Sequence, residues 1–96
     1  MAKPDKSSWV YVVVQNPGTN EQIVGQQDKE LEISFIPTFL ERDEALKCYN
    51  LLTIDRAKQY EVHAILYEEL SDYALKNSFI IFILNGSGQI LDKFAD

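Results

Sequence analysis

The chain has 96 residues, of which 46% are hydrophobic and 11% aromatic, and its formal net charge is -6 at pH 7. This size supports one domain with one hydrophobic core. The Lys and Arg residues are scattered, which argues against nucleic acid and anionic membrane surfaces as partners, because both require clustered cations. A single cysteine cannot form an internal disulfide, and the longest apolar run, 79–84, is too short to span a bilayer. We therefore expect a cytoplasmic protein.

Hydrophobic periodicity and turn residues divide the chain into six strands and two helices. In chain order the predicted elements are a tail over 1–8, strands over 9–15, 21–26 and 30–36, a helix over 41–52, a strand over 59–67, a helix over 68–77, and strands over 79–84 and 89–94. The tail is expected to be flexible and residues 9–96 to form a single domain. Pro37 is expected to end the third strand. Residues 53–58 are ambiguous between a loop and an extension of the first helix.

The order β-β-β-α-β-α-β-β predicts an α+β two-layer sandwich with a mixed sheet of five to six strands. Crossover helices that join parallel strands follow a right-handed rule, so both helices are expected on one face of the sheet. Strands 9–15 and 79–84 are apolar on both sides, and we expect them at the centre of the sheet.

Several short motifs resemble a known domain family. They are Ile33-Ser34-Phe35-Ile36-Pro37-Thr38-Phe39 after a hydrophobic opening strand, the acidic helix start Glu41-Arg42-Asp43-Glu44-Ala45, the Glu68-Glu69-Leu70 of the second helix, and Asn85-Gly86 at the end of an apolar strand. In this pattern the chain is similar to the SseB-type N-terminal domain, named for enhanced serine sensitivity, and to a small cyanobacterial and plastid domain of unknown function. These families usually carry a small or polar residue where this chain has Arg42. The resemblance covers most of residues 9–91, implies a soluble bacterial-type domain, and transfers no site residue.

Cys48 and His63 are the only side chains here that commonly supply a soft nucleophile or a near-neutral base. Cys48 falls in the apolar stripe of the first helix, which predicts a buried thiol. His63 lies two residues from Glu61 on one face of a strand, about 7 Å away, which predicts a shared water rather than a direct acid–base pair. The Asn85 to Gly88 segment predicts a hairpin turn rather than a phosphate loop. We expect no catalytic site, no cofactor and no metal site, since metal sites need more His or Cys ligands.

Two helices of these lengths can cover only one face of a five- or six-stranded sheet. The other face is therefore expected to carry an apolar strip with a polar margin, which is typical of an interaction surface. Its expected members are Trp9, Tyr11, Glu32, Ser34, Glu61 and His63. The leading hypothesis is a non-catalytic protein-interaction module that forms a homodimer through this helix-free face.

Two alternatives stay open. One is a small-molecule carrier or sensor, in which Trp9 or Tyr11 stacks on an apolar ligand and His63 fixes the polar end of that ligand. The other is an enzyme that uses Cys48 or His63. The open face itself would disappear if residues 1–8 or 53–58 folded over the strip, or if the sheet coiled to shield it.

Overall fold

The structure, a computed structural model, describes residues 4–18, 20–52 and 57–94. Within these ranges the elements are β1 (Trp9–Gln15), β2 (Gln22–Ile23), β3 (Gln26–Asp28), β4 (Ile33–Thr38), α1 (Arg42–Cys48), a 3-10 helix (Tyr49–Leu51), β5 (Tyr60–Leu66), α2 (Tyr67–Lys76), β6 (Ile80–Leu84) and β7 (Ile90–Phe94). They form an α+β sandwich, which confirms the fold class expected from the sequence. Whether residues 53–56 extend the first helix lies outside the described residues.

The strands form two sheets that meet at one bridge. The first sheet has the order β2-β1-β5 and is antiparallel throughout. The second has the order β3-β4-β6-β7 and is mixed, because β4 and β6 run parallel. Tyr11 and Phe39 exchange two backbone hydrogen bonds of 2.9 Å, which join the sheets. The sequence predicts a single sheet; two form because the expected strand 21–26 breaks at Val24 and Gly25 into β2 and β3, which pair with different neighbours.

Pro37 lies inside β4, although the sequence predicts that it ends this strand. The N–H and C=O groups of Phe39 point toward Tyr11. Backbone groups two residues apart in a strand point toward the same neighbouring strand, so the backbone nitrogen of Pro37 is directed to that edge of β4 as well. On that side β3 pairs with β4 only as far as the Gln26–Phe35 pair. The missing N–H of Pro37 therefore costs no ladder hydrogen bond.

The two helices pack on opposite faces of the central strands. The α2 residues share a core with Val12 and Ile81, whereas the α1 residues share a core with Val13 and Phe82. Adjacent residues of one strand point to opposite faces, so each helix covers a different side of β1 and β6. The structure differs here from the expected placement of both helices on one face. The right-handed rule applies to helices that join parallel strands of one sheet, and α1 and α2 each connect strands of different sheets.

Residues 4–8, the described part of the expected flexible tail, are bound to the start of α2. The Ser8 N–H donates to the Asp5 carbonyl at 3.0 Å and closes a turn. The Tyr67 N–H donates to the Ser8 carbonyl at 2.9 Å, and the Glu68 N–H donates to the Lys6 carbonyl at 3.1 Å. No side chain caps this helix. The chain before β1 therefore supplies the partners that the first N–H groups of a helix require.

The hairpin expected between the last two strands is present. The Asn85 Oδ1 atom accepts hydrogen bonds from the Ser87 and Gln89 N–H groups at 2.9 and 3.0 Å. Gly88 has a φ of 81°, a conformation that glycine adopts without steric cost. The turn joins β6 to β7 in antiparallel pairing.

Candidate interaction surface

The six expected surface residues do not share one face in the structure. Trp9 and Tyr11 lie on the same side of β1 as Val13, which is the face on which α1 packs, whereas Val12 points to the other face. His63 of β5 lies opposite Val12, and Glu61, two residues away, shares its face. The aromatic pair and the His63–Glu61 pair therefore lie on opposite sides of the first sheet. The register of β5 on β1 determines which side chains share a face of the first sheet, and the sequence pattern alone does not give that register.

Glu32 and Ser34 lie outside the first sheet. Ser34 belongs to β4 in the second sheet, opposite Gln27 of β3, and is half-buried. Glu32 lies in the turn before β4, where it is exposed and has a φ of 54°. The continuous polar margin expected from the sequence does not form.

The apolar strip expected on a helix-free face is buried. Val10, Val12 and Val13 are at most 1% exposed, and Ile81 and Phe82 are 0% exposed. Because the helices lie on opposite faces, both sides of β1 and β6 are covered at these residues. The apolar strip that was expected to form the dimer surface is therefore part of the core.

His63 contacts Glu61 directly, and the expectation of a water-separated pair is wrong. Nε2 of His63 lies 2.9 Å from Oε1 of Glu61, and Nδ1 lies 3.8 Å from Oε2 of Glu21. The side chains lean along the strand and close the distance that separates the backbone positions. The pair is largely solvent-exposed, so its contribution to stability is small. Among the described residues, no group of three or more His, Cys, Asp or Glu side chains is placed to hold a metal ion.

Cys48 is buried, as its position in the helical stripe predicts. Its side chain is 1% exposed and packs in the α1 core with Phe82 and Leu84. Burial raises the pKa of the thiol above its ordinary value of 9.0. The thiolate is the nucleophilic form of cysteine, so this environment disfavours the reactive state at neutral pH and indicates a packing role.

Helix α1 is too short to cover the first sheet. Its seven residues span about 10 Å, whereas the seven paired residues of β1 and β5 span about 23 Å. The α1 core includes Val13 and Val62, which form one cross-strand pair near the middle of these strands. Beyond that pair, toward the start of β1, the face that carries α1 extends past the helix: Tyr11 is half-buried at the margin of the α1 core, and Trp9 is exposed.

Two cross-strand pairs occupy this extension, and we call their four residues the uncovered sheet end. They are Trp9 with Leu66 and Tyr11 with Ala64. Trp9 is 59% exposed, Ala64 is exposed, and the other two side chains are half-buried. Sequence reasoning identified the two aromatic residues as surface candidates, but it missed Ala64 and Leu66, because only the register of β5 on β1 brings them alongside.

Strand β5 forms a free edge of the first sheet beside the uncovered sheet end. Tyr11 bonds to Phe39 on the far side of β1, so Ala64, opposite Tyr11, directs its N–H and C=O groups outward. These two groups have no partner among the described residues. Farther along the edge, the Val62 carbonyl accepts a hydrogen bond of 3.1 Å from Nη1 of Arg42.

A groove of about 570 Å³ follows this edge between α1 and β5. Leu46, Tyr49, Tyr60 and Val62 supply its apolar lining, and Arg42, Glu61 and His63 supply its polar lining. The two tyrosine rings meet edge to face with their centroids 6.2 Å apart, and Leu46 is 50% exposed. The edge therefore combines outward backbone groups with an apolar cleft.

Comparison with protein-family models, with curated proteins and with solved structures finds no match to this chain. The resemblance to the SseB-type N-terminal domain stays a prediction from the sequence pattern. None of the helices in the described residues has the length and apolar character needed to cross a bilayer.

Proposed function

We propose that this protein is a non-catalytic interaction module that forms a homodimer by pairing the β5 edges of two copies. The observation that carries the proposal is the uncovered sheet end, with its exposed Trp9, directly beside the outward backbone groups of Ala64. An unpaired strand edge is a template for adding another strand, and an adjoining apolar surface strengthens the association.

Antiparallel pairing centred on Ala64 fits the shape of this edge. It sets Leu66 of one copy opposite Val62 of the other. A two-fold axis perpendicular to the sheet keeps both α1 helices on the same face. The α1 helix of each copy then lies beside the uncovered sheet end of the other, where the exposed Leu46 meets Leu66 and, behind it, Trp9. A second copy therefore supplies the helical cover that the single chain lacks.

Arg42 competes with this pairing. The Val62 carbonyl, which accepts from Arg42 in the single chain, would accept the N–H of Leu66 from the second copy. A cation at a strand edge is a common device against unwanted strand addition. We therefore expect Arg42 to keep the dimer weak and reversible, and its removal to strengthen association.

Sedimentation velocity over protein concentrations from about 5 to 500 µM tests the dimer. The contact area is at the small end of specific interfaces, which suggests a Kd of about 100 µM. Trp9→Ser is expected to raise this Kd at least about fivefold, since it removes the largest apolar side chain of the interface. Arg42→Ala is expected to lower it about threefold or more, because the Val62 carbonyl becomes free.

Leu75→Ser is the matched control, because Leu75 is 67% exposed on α2, away from the proposed interface. It should leave the Kd unchanged. Ala64→Pro removes an N–H that the folded single chain does not use and should abolish the dimer with the circular dichroism spectrum retained. A purely monomeric wild type at about 500 µM, about five times the expected Kd, would overturn the proposal, as would equal effects of Trp9→Ser and Leu75→Ser.

Composition and side-chain placement support the other parts of the proposal. The net charge of -6 with scattered cations favours a protein partner over nucleic acid. A carrier that uses His63 to fix a ligand stacked on Trp9 loses its basis, because the two residues lie on opposite faces. The burial of Cys48 supports a non-catalytic role. For the location of the protein we propose the cytoplasm. The SseB-type N-terminal domain is the family that we propose.

A further inference from the structure

A second groove, of about 300 Å³, opens on the second sheet, on the face that carries α1. Apolar side chains supply most of its lining: Phe35, Leu51, Leu52, Phe82, Leu84 and Ile90. Phe82 and Leu84 of β6 belong to the α1 core, and Phe35 of β4 packs against it. Ile90 of β7 is the cross-strand partner of Leu84 and shares its face. These side chains therefore form one surface, in a different sheet from the β5 edge.

The groove has a buried floor and an exposed apolar rim. Phe82 and the Cys48 thiol lie at the floor and are buried. Leu51 and Ile90, which also line the groove, are 63% and 46% exposed. A ligand that fills the groove would remove these two side chains from water, which favours binding of an apolar group.

A lysine side chain borders the floor of this groove. Lys93 of β7 is the cross-strand partner of Phe82, and its ammonium nitrogen lies 5.1 Å from the centroid of the Phe82 ring. Within the described ranges this ammonium forms no ion pair or hydrogen bond. Asp92, the next residue, lies opposite Ile83 and points to the other face. No acidic side chain of the described residues lines the groove, so this border is locally positive.

We propose that this groove binds a medium-chain fatty acid, with the alkyl chain on the apolar floor and the carboxylate at the Lys93 ammonium. The Phe35 and Phe82 rings stack on each other with centroids 4.2 Å apart. The rest of the apolar lining is aliphatic, which suits an alkyl chain. The groove has about twice the volume of a cavity that holds benzene, which corresponds to about ten carbon atoms.

The net charge of -6 does not prevent binding of a carboxylate at this place. Exposed charges are screened beyond about 8 Å at physiological ionic strength. The Lys93 ammonium, which borders the groove, therefore contributes more to the local potential than distant acidic residues do.

Titration with decanoate, followed by ¹H–¹³C NMR of the methyl groups, tests this assignment. The methyl signals of Leu51 and Ile90 are expected to shift saturably, with a Kd of about 0.5 mM. Octanoate should bind about fivefold more weakly, because its shorter chain buries fewer methylene groups.

Two variants separate the contributions of the chain and the charge. Leu51→Ser should raise the Kd of decanoate about fivefold, because it removes apolar contact area. Its matched control is Leu75→Ser on the exposed side of α2, which should bind as the wild type does. Lys93→Gln should raise the Kd of octanoate about threefold, the usual scale for an exposed ion pair, and leave the Kd of uncharged 1-octanol unchanged. Its matched control is Lys76→Gln, since Lys76 is exposed and does not line the groove.

Absence of saturable shifts with decanoate at about 5 mM, about ten times the expected Kd, would overturn the proposal. Equal effects of Leu51→Ser and Leu75→Ser on decanoate binding would do so too. If Lys93→Gln and Lys76→Gln bind octanoate equally well, the carboxylate is not held by Lys93 and the assignment is wrong. These outcomes are independent of the dimer, which is followed by sedimentation.

Discussion

The fold shifts the pKa values of a buried thiol and a buried phenol. Burial raises the pKa of Cys48 and of Tyr67, and the neighbouring Ser71 hydroxyl offsets part of the rise for Tyr67. In the unfolded chain both groups ionise at lower pH than in the folded chain. Their effect on stability is therefore constant below about pH 8 and becomes a loss as the pH rises further, first through the thiol.

Cys48→Ala tests this at the residue scale. The truncation is expected to lower the free energy of unfolding at neutral pH by about 1 kcal/mol, the usual scale for a small core change. Between about pH 8 and 10, however, the variant should lose less stability than the wild type, because it lacks the thiol whose unfolded form ionises first. Urea denaturation at several pH values measures both effects. Parallel declines of the two proteins would contradict a raised thiol pKa.

At the scale of elements, the turn over residues 5–8 acts as the cap of α2. Deletion of residues 1–7 removes the Lys6 carbonyl and leaves the Glu68 N–H without its partner. We expect this deletion to lower the free energy of unfolding by about 1 kcal/mol, the usual effect of losing a helix cap. Deletion of residues 1–4, which keeps the turn from Asp5 to Ser8, is the control. Equal losses in urea denaturation for both deletions would show that the turn does not stabilise the helix.

Most elements could be predicted because local pattern determines them. The alternating residues of β5 and the doubly apolar β6 are strands where the sequence predicts them. The errors occur where tertiary pairing overrides local signals. Pro37 continues a strand because a gap in the ladder faces it. The segment of β2 and β3 breaks at Val24 and Gly25, where β2 pairs with β1 and β3 pairs with β4. Neither the gap nor the choice of pairing partner exists in a single segment of chain.

At the scale of the whole molecule, the candidate surface could be predicted only in part. Trp9 is exposed, but the helix-free face on which the sequence places it does not form. Where the helical cover ends depends on which face each helix takes and on the register of β5 against β1. A register shift of one residue moves every side chain to the other face. His63 and Trp9 were therefore assigned to one surface although they lie on opposite sides.

Strand β1 belongs to both cores, and we expect the two faces of the molecule to unfold as one cooperative unit. Val13→Ala removes atoms from the α1 core alone and is expected to cost about 2 kcal/mol. If the cores melt together, native-state hydrogen exchange will show the same loss of protection at Leu70 in α2, on the far face, as at Ala45 in α1. Faster exchange confined to α1 would mean that each layer opens by itself. A strand shared by both cores would then transmit a defect in one core to the other, with no change of conformation.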